Sequence, residues 1–283
     1  MKTILIPTED HDAMPAVLEA ARLIGERFGS YMEGFAVHPA PADFVAVDPV
    51  SSLTIASTHD NDEEVERGAQ RLFESFMRTH GVPDAKMADS KAGPAVYSYR
   101  WVRSGALGDA FIGSHGRLFD LIALGRPGRA PHDPRMPPLE AALFESGRPA
   151  LIAPSGVREV IGRNVLVAWN GSTEQTRTTA FALPLLHMAE TVTLLSVEGG
   201  MTPGPTGEEF AQYLRLNGIA VTAVTVGLGK RTTGEVILDY AKAQGCDLLV
   251  KGAYTQSRLR QMVFGGATRH ILANAALPVL MAH

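Results

Sequence analysis

Short apolar runs alternate with longer amphipathic segments along the whole chain. Runs that are apolar at nearly every position, rather than at every second one, indicate strands covered on both faces, as in a parallel sheet. The segments between them show helical periodicity, so the pattern predicts an α/β fold with helices on both faces of the sheet. In the second half the predicted strands are NVLVAW, VTLLSV, IAVTAVTV, CDLLVKG and PVLMA.

Turn and capping residues set the predicted helix limits in this half. NGST provides the first cap, with Ser172 or Thr173 as the N-cap residue. Pro184 lies inside the helix that follows and should kink it, while Gly218 and Gly245 end two later helices. The predicted helices are TRTTAFALPLLHMA, GEEFAQYLRLNG, TTGEVILDYAKAQG and ATRHILANA.

The first half follows the same order of elements but is longer. Much of its surplus is the stretch 39–60, which is rich in Pro, Ala, Asp and Ser and is interpreted as a long loop. Helices are expected from about Ala13 to Phe28 and from about Glu63 to His80. The other predicted elements are the strands KTILIP, YMEGFAV, AVYSYRWV, FDLIALG and PALIA and the helices ALGDAFIGSHG and LEAALFESG.

Three segments of the first half recur in the same order in the second. KTILIPTE matches RNVLVAWN, FDLIALGRPG matches CDLLVKGAYT, and RPALIAP matches LPVLMAH. We interpret the chain as a tandem duplication, with one domain at 1–154 and the other at 163–283. The two copies should form a pseudo-dimer within the chain, and the sequence leaves further dimerisation between chains open.

Composition narrows the possible partners and compartments. The net charge of −4 argues against a protein whose main partner is nucleic acid. No apolar run reaches the roughly 20 residues that a membrane-spanning helix needs. The single cysteine, Cys246, excludes an internal disulfide, favours the cytoplasm and begins an apolar run typical of the core.

The strongest candidate chemistry follows the strand CDLLVKG. Gly252, Gly265 and Gly266 have no side chains to block their N–H groups, and Thr268 adds a hydroxyl in the first turn of the next helix. Such a turn at a helix N-terminus can hold a phosphate. Glycines that only permit tight turns are the alternative. Arg258 and Arg260, between these glycines, are compatible with pairing to phosphate oxygens and equally with a solvated basic loop.

The spacing of Gly252 and Gly265 resembles the G-x2-G-x9-G-[ST] loop of the universal stress protein family. The resemblance covers essentially the whole chain as two copies. It implies two tandem, doubly wound domains with five-stranded parallel sheets, of the adenine nucleotide alpha hydrolase-like type, and a site for ATP or AMP, with or without Mg²⁺. The nucleotide-binding residues it implies are Ala168, Trp169, Asn170, Val197, Gly252, Ala253, Arg258, Arg260, Gly265, Gly266, Ala267 and Thr268. Trp169 is compatible with stacking on a base and also with a place in the core or at an interface.

The second copy departs from the family pattern at four positions, which leave an anion site in place. Thr255 replaces the second glycine of the loop, and Gly266 replaces its closing Ser or Thr. Asn170 stands where the family has an acidic residue after the first strand. Lys251 replaces an apolar residue.

The first copy departs further from the pattern. It keeps Gly125 and Gly128, and Glu9 matches the acidic position, but Pro138 and Leu139 stand where the closing glycines belong. Proline has no N–H to donate. We therefore expect one functional site per chain, in the second copy.

Two functions from different classes fit these observations. The first is a stress-response regulatory protein that binds an adenine nucleotide in the second copy. The alternative is a nucleotide-free pseudo-dimeric scaffold that recruits a protein partner through the 39–60 loop. No catalytic or metal-binding residues are assigned, and enzymatic activity beyond weak ATP hydrolysis is not expected.

Overall fold

The structure, a computed structural model, describes residues 1–38, 54–85, 96–103, 108–130, 132–156, 159–253 and 266–283. Within these residues the chain forms two compact units, Met1–Arg148 and Pro149–His283. The elements of the first unit are the strands β1 (Thr3–Thr8), β2 (Tyr31–Ala36), β3 (Ser98–Trp101) and β4 (Leu121–Gly125) and the helices α1 (Met14–Phe28), α2 (Thr54–Thr79), α3 (Ala110–His115) and α4 (Met136–Glu145).

The first unit also contains a short 3-10 helix, Gly116–Leu118, and the second unit contains the other described elements. Its strands are β5 (Ala150–Ala153), β6 (Asn164–Trp169), β7 (Thr191–Val197), β8 (Thr222–Val226), β9 (Leu248–Val250) and β10 (Val279–Met281). Its helices are α5 (Thr173–Leu186), α6 (Gly207–Leu216), α7 (Thr233–Ala243) and α8 (Gly266–Asn274).

The strand order places the first strand of each sequence copy in the middle of its sheet. In the first unit, β1 pairs in parallel with β2 and β4, and β3 follows β2. In the second unit, five parallel strands lie in the order β10-β9-β6-β7-β8. The chain runs outward from β6 to β8 and then returns to the other side of β6. Because such crossovers are right-handed, the reversal produces the predicted doubly wound arrangement.

Strand β5 ends the first sequence copy but pairs within the second unit. It runs antiparallel to β10, with Val279 opposite Ile152 and Met281 opposite Ala150. The last strands of the two sequence copies, PALIA and PVLMA, are therefore neighbours in one sheet. The boundaries 1–154 and 163–283 stay a prediction of the repeat pattern.

Most elements lie where the hydrophobic pattern placed them, with one clear difference. Helix α2 begins at Thr54, nine residues before the expected start, so the end of the 39–60 stretch is helical. The polar composition concealed a helix that belongs to a continuous 26-residue element. Residues 39–53 lie outside the described residues. Ser172 is the N-cap of α5, as predicted, and its hydroxyl accepts a hydrogen bond from the Gln175 N–H.

Burial explains why the strand sequences are continuously apolar. In β6, Val165, Leu166 and Val167 are all fully buried, so both faces of the strand are covered. Cys246 is also buried, as predicted, and burial raises the pKa of its thiol to about 11. It therefore stays protonated at neutral pH and acts as a small core residue. No helix among the described residues is long and apolar enough to cross a membrane.

The first unit contains a tight contact that can be tested by substitution. A Cβ at Gly34 in β2 would lie 2.7 Å from the ring of Phe73, a fully buried residue of α2. We expect Gly34→Ala to lower the free energy of unfolding by about 1–3 kcal/mol, because the ring must shift in a packed core. Denaturant unfolding measures the change. Gly68→Ala in α2 is the control, since no described atom lies within 4 Å of its Cβ position; equal stability of the two variants would contradict the packing argument.

Candidate functional site

The candidate site lies in the second unit, where strands β6 and β9 end side by side. Val167 of β6 is in register with Val250, the last residue of β9. Asn170 follows the end of β6 and Gly252 follows the end of β9, so the sheet brings these two predicted site residues to one edge. The strand order reverses here, and ligands of such sheets bind beyond the carboxyl ends of the strands at this point.

Gly252 packs against the first turn of helix α5. Its N–H donates a hydrogen bond of 2.7 Å to Oε1 of the buried Gln175. A Cβ at Gly252 would lie 2.6 Å from the Gln175 backbone nitrogen, so only glycine fits without displacing the helix. The predicted glycine therefore has a packing role that needs no ligand, and its amide is already paired inside the protein.

The neighbouring amides extend the pairing with β10. The Lys251 N–H donates to the Leu280 carbonyl at 3.0 Å, and the Ala253 N–H donates to the Ala282 carbonyl at 2.8 Å. Ala253 is fully buried. The chain thus remains hydrogen-bonded to the sheet up to the start of the segment 254–265, which lies outside the described residues together with Arg258, Arg260 and Gly265.

Lys251 is a buried lysine directly beside Gly252. Its side chain is only 4% exposed, and Nζ donates a hydrogen bond of 2.7 Å to the Gly252 carbonyl. Burial lowers the pKa of this amine to about 8, and the opposing effect of Glu174 is smaller. The sequence marked Lys251 as a departure from an apolar position, and the structure shows that the position is nevertheless inside the protein.

Trp169 is part of the core. It is buried, and its ring stacks on Phe210 of α6 with centroids 3.8 Å apart and an interplanar angle of 11°. The indole N–H donates to the Pro205 carbonyl at 3.0 Å. Of the two predicted roles, the structure favours the core one, because the ring face toward Phe210 is already occupied.

The two oxygens of Asn170 both accept hydrogen bonds from nearby residues. Its Oδ1 accepts a hydrogen bond of 2.8 Å from the Ser172 hydroxyl. Its backbone carbonyl accepts hydrogen bonds from the N–H of Thr202, at 2.8 Å, and from the hydroxyl of Thr202, at 3.0 Å. Sequence reasoning assigned no role to the segment around Thr202. Ala168 and Val197, at the ends of β6 and β7, are both buried.

The start of helix α8 is the open part of the candidate site. Gly266 is its first residue and is exposed, and a Cβ there would meet no described atom within 4 Å. Ala267 is partly exposed, whereas Thr268 is buried. The N–H groups at a helix N-terminus carry partial positive charge and attract anions.

The corresponding edge of the first unit is closed by an ion-pair cluster. Arg135, the residue before α4, donates to Glu9 after β1 and to Asp109 before α3. Its Nη1 and Nη2 lie 3.2 and 2.9 Å from the two carboxylate oxygens of Asp109, a bidentate arrangement. Burial raises the pKa of Glu9, while Arg135 opposes the shift. Glu9, the residue that matches the family's acidic position, is thus bound by the protein's own arginine.

The buried amine of Lys251 predicts a pH-dependent stability difference. Because the pKa is about 8 in the folded protein and about 10.4 when unfolded, only the unfolded state is protonated between these values, and stability rises with pH there. Below pH 8 the amine is charged in the folded protein as well, so the full cost of burying a charged amine lowers the free energy of unfolding. We expect Lys251→Met to exceed the wild type by up to about 3 kcal/mol in unfolding free energy at pH 7.

The measurement is denaturant unfolding of both proteins from pH 7 to pH 10. The extra stability of Lys251→Met over the wild type should shrink as the pH rises above 8. The other titratable groups occur in both proteins, so their effects cancel in the difference. A difference that does not change with pH would contradict a lowered pKa at Lys251.

The ion-pair cluster of the first unit can be tested with a double-mutant cycle. Glu9→Gln, Arg135→Gln and the double variant are unfolded at pH 7. Since the partners are largely shielded from solvent, we expect a coupling energy of about 1–3 kcal/mol. A coupling near zero would mean that the contact contributes nothing to the closure of this edge.

Comparison with known proteins gives a sequence match for most of the second unit. Residues 162–283 match the sequence model of the universal stress protein family. No curated protein is similar enough in sequence to match the chain.

The whole chain also resembles solved structures. A universal stress protein from Archaeoglobus fulgidus DSM 4304 gives a TM-score of 0.69 at 16% identity, covering 99% of this chain and 97% of that one. A protein of Pseudomonas aeruginosa UCBPP-PA14, provisionally assigned to the same family, gives 0.57 at 16% identity, covering 100% and 93%. At these identities the likeness shows the fold alone. Residues 162–283 are thus similar in sequence to the universal stress protein family, and the whole chain is similar in fold to solved structures of that kind.

Proposed function

We propose that this chain is a regulatory protein of the stress response that binds an adenine nucleotide, ATP or AMP, in its second unit. The observation that carries the proposal is the open N-terminus of α8, at Gly266, which follows β9 at the point where the strand order reverses. The phosphates would lie at this helix end, where Mg²⁺ can accompany ATP. The base would lie toward the end of β6.

Two features argue for binding at one site per chain. In the second unit the helix end is open, whereas in the first unit the first turn of α4 contains Pro137 and Pro138, and the arginine before the helix is already paired with Glu9 and Asp109. Prolines lack the N–H groups that an anion needs. The nucleotide thus acts as a signal that the second unit senses, and we assign the chain no turnover beyond weak ATP hydrolysis.

A nucleotide-free scaffold is the second candidate function. It is favoured by the closed end of β6, where the Gly252 amide, the Asn170 carbonyl and the Trp169 indole all have partners within the protein. In this function the chain, as a pseudo-dimeric scaffold, would recruit a protein partner without a ligand. Both candidates place the protein in the cytoplasm, and both leave the identity of the partner to experiment.

The nucleotide proposal predicts a selective effect at Gly266. Thermal unfolding is measured with and without ATP, since a ligand at a hundred times its dissociation constant adds about 2.7 kcal/mol to stability. We expect Gly266→Val to lose most of the ATP-dependent stabilisation, because the new side chain would occupy the space in front of the helix N-terminus. Without ATP the variant should unfold close to the wild type, as no described atom is near the added Cβ.

The matched control is Gly68→Val, another helical glycine with open space at its Cβ position, but in the first unit. It should keep the full ATP response. Undiminished stabilisation of Gly266→Val would refute the site, and a wild type that responds to neither ATP nor AMP would leave the scaffold as the function.

A further inference from the structure

A short segment, Thr202–Pro205, crosses the carboxyl end of strand β6, and we refer to it as the strap. The strap is fixed at three points. The Thr202 N–H and hydroxyl both donate to the Asn170 carbonyl, and the Pro205 carbonyl accepts from the Trp169 indole. All three bonds go to the two residues that end β6 and follow it.

The strap lies directly on the backbone after β6. A Cβ at Gly204 would be 2.4 Å from the Gly171 carbonyl oxygen, and one at Gly171 would be 2.9 Å from the Thr202 carbonyl oxygen. Real Cβ atoms do not approach backbone atoms so closely. No layer of ligand atoms fits between the strap and Gly171 while the strap is in this position.

Little apolar burial holds the strap in place. Thr202 is partly exposed, and Pro203, Gly204 and Pro205 are exposed. Gly199, with φ of +77°, and Gly200 precede it, and the capping box of Thr206 and Glu209 fixes the start of α6 after it. Opening the strap therefore breaks the hydrogen bonds of Thr202 and Pro205 and uncovers the edge of Trp169, while the helix cap at Thr206 can stay in place.

The bonds of the strap are of the kind that an adenine base can replace. The Asn170 carbonyl is an acceptor that receives the two donors of Thr202. The exocyclic amine of adenine is also a donor, and its ring is apolar enough to cover the strand end. An adenine base at this strand end would therefore compete with the strap for one acceptor and one space.

We propose that the strap is a lid over the base-binding part of the nucleotide site, and that nucleotide binding lifts it. This inference rests on the function proposed above. Because the closed strap must be displaced first, the apparent affinity for the nucleotide is reduced by the fraction of molecules that are open. Binding then exposes residues 202–205, which gives the protein a surface that differs between its free and bound states.

Gly204→Ala tests the proposal because its methyl group would meet the Gly171 carbonyl and keep the strap from closing. We expect this variant to bind ATP about tenfold more tightly than the wild type by isothermal titration calorimetry. Gly68→Ala is the matched control, with open space at its Cβ position and no change in affinity expected. Thr202→Val serves as a second, milder variant that loses only the hydroxyl bond to Asn170, with a gain of about threefold expected.

Trp169 reports on the strap directly. The chain contains two tryptophans, so Trp101→Phe leaves Trp169 as the only one. In that background, saturating ATP should shift the emission of Trp169 to the red and raise its quenching by acrylamide, because the Pro205 cover is removed. Adding Gly204→Ala should give part of this change without ATP.

The outcomes separate the two proposals. If the wild type binds ATP but Gly204→Ala and Thr202→Val bind it with equal or lower affinity, the strap is not a lid, and the nucleotide site still stands. If ATP binds and Trp169 does not respond, the lid is again refuted. If neither the wild type nor the variants bind ATP or AMP, the nucleotide function fails and the lid fails with it.

Discussion

The second unit depends on the contact between the first turn of helix α5 and the end of strand β9. A buried glutamine makes the contact possible: the Gln175 side chain accepts the Gly252 N–H and donates to the Thr179 hydroxyl and the Val250 carbonyl. An unpaired buried amide would cost about 1–3 kcal/mol, so the glutamine and the glycine require each other. Their contact fixes where β9 leaves the sheet and therefore the shape of this edge.

The two units fill the crevice beyond the ends of their central strands with different chemical groups. A parallel sheet whose strand order reverses leaves a crevice beyond the ends of its central strands. In the first unit, Arg135 holds Glu9 and Asp109 there, and such charged side chains are firmly coupled. In the second unit, a glycine- and proline-rich strap lies over the strand end and is held by a few hydrogen bonds. We infer that the first edge stays closed and that the second is able to open.

The fold could be predicted from the sequence because local signals agree with the final structure. Continuous apolar runs indicate strands, Ser172 indicates the start of α5, and glycines indicate helix ends. Each of these signals depends only on residues that are close in the sequence. The early start of α2 at Thr54 was missed because Thr, Ser, Asp and Asn in its first turns resemble loop composition. Tertiary packing overrides such weak propensities.

The site could be predicted only in outline. Gly252 and Asn170 were placed at one edge, but their partners lie 77 and 32 positions away in the sequence, at Gln175 and Thr202. Nothing near Arg135 in the sequence marks its contact with Glu9, 126 positions away. The strap did leave a signal: paired glycines followed by Pro-Gly-Pro and a Thr-x-x-Glu capping box describe a flexible turn that ends at a firm helix start.

The central claim is that the second unit alone accepts a nucleotide. Native mass spectrometry of the intact chain with excess ATP measures this most directly, because it counts the ligands bound to each chain. The account predicts a single population with one nucleotide per chain. Two nucleotides per chain would show that the ion-pair cluster does not close the first unit, and none would show that the open helix end of the second unit is not a nucleotide site.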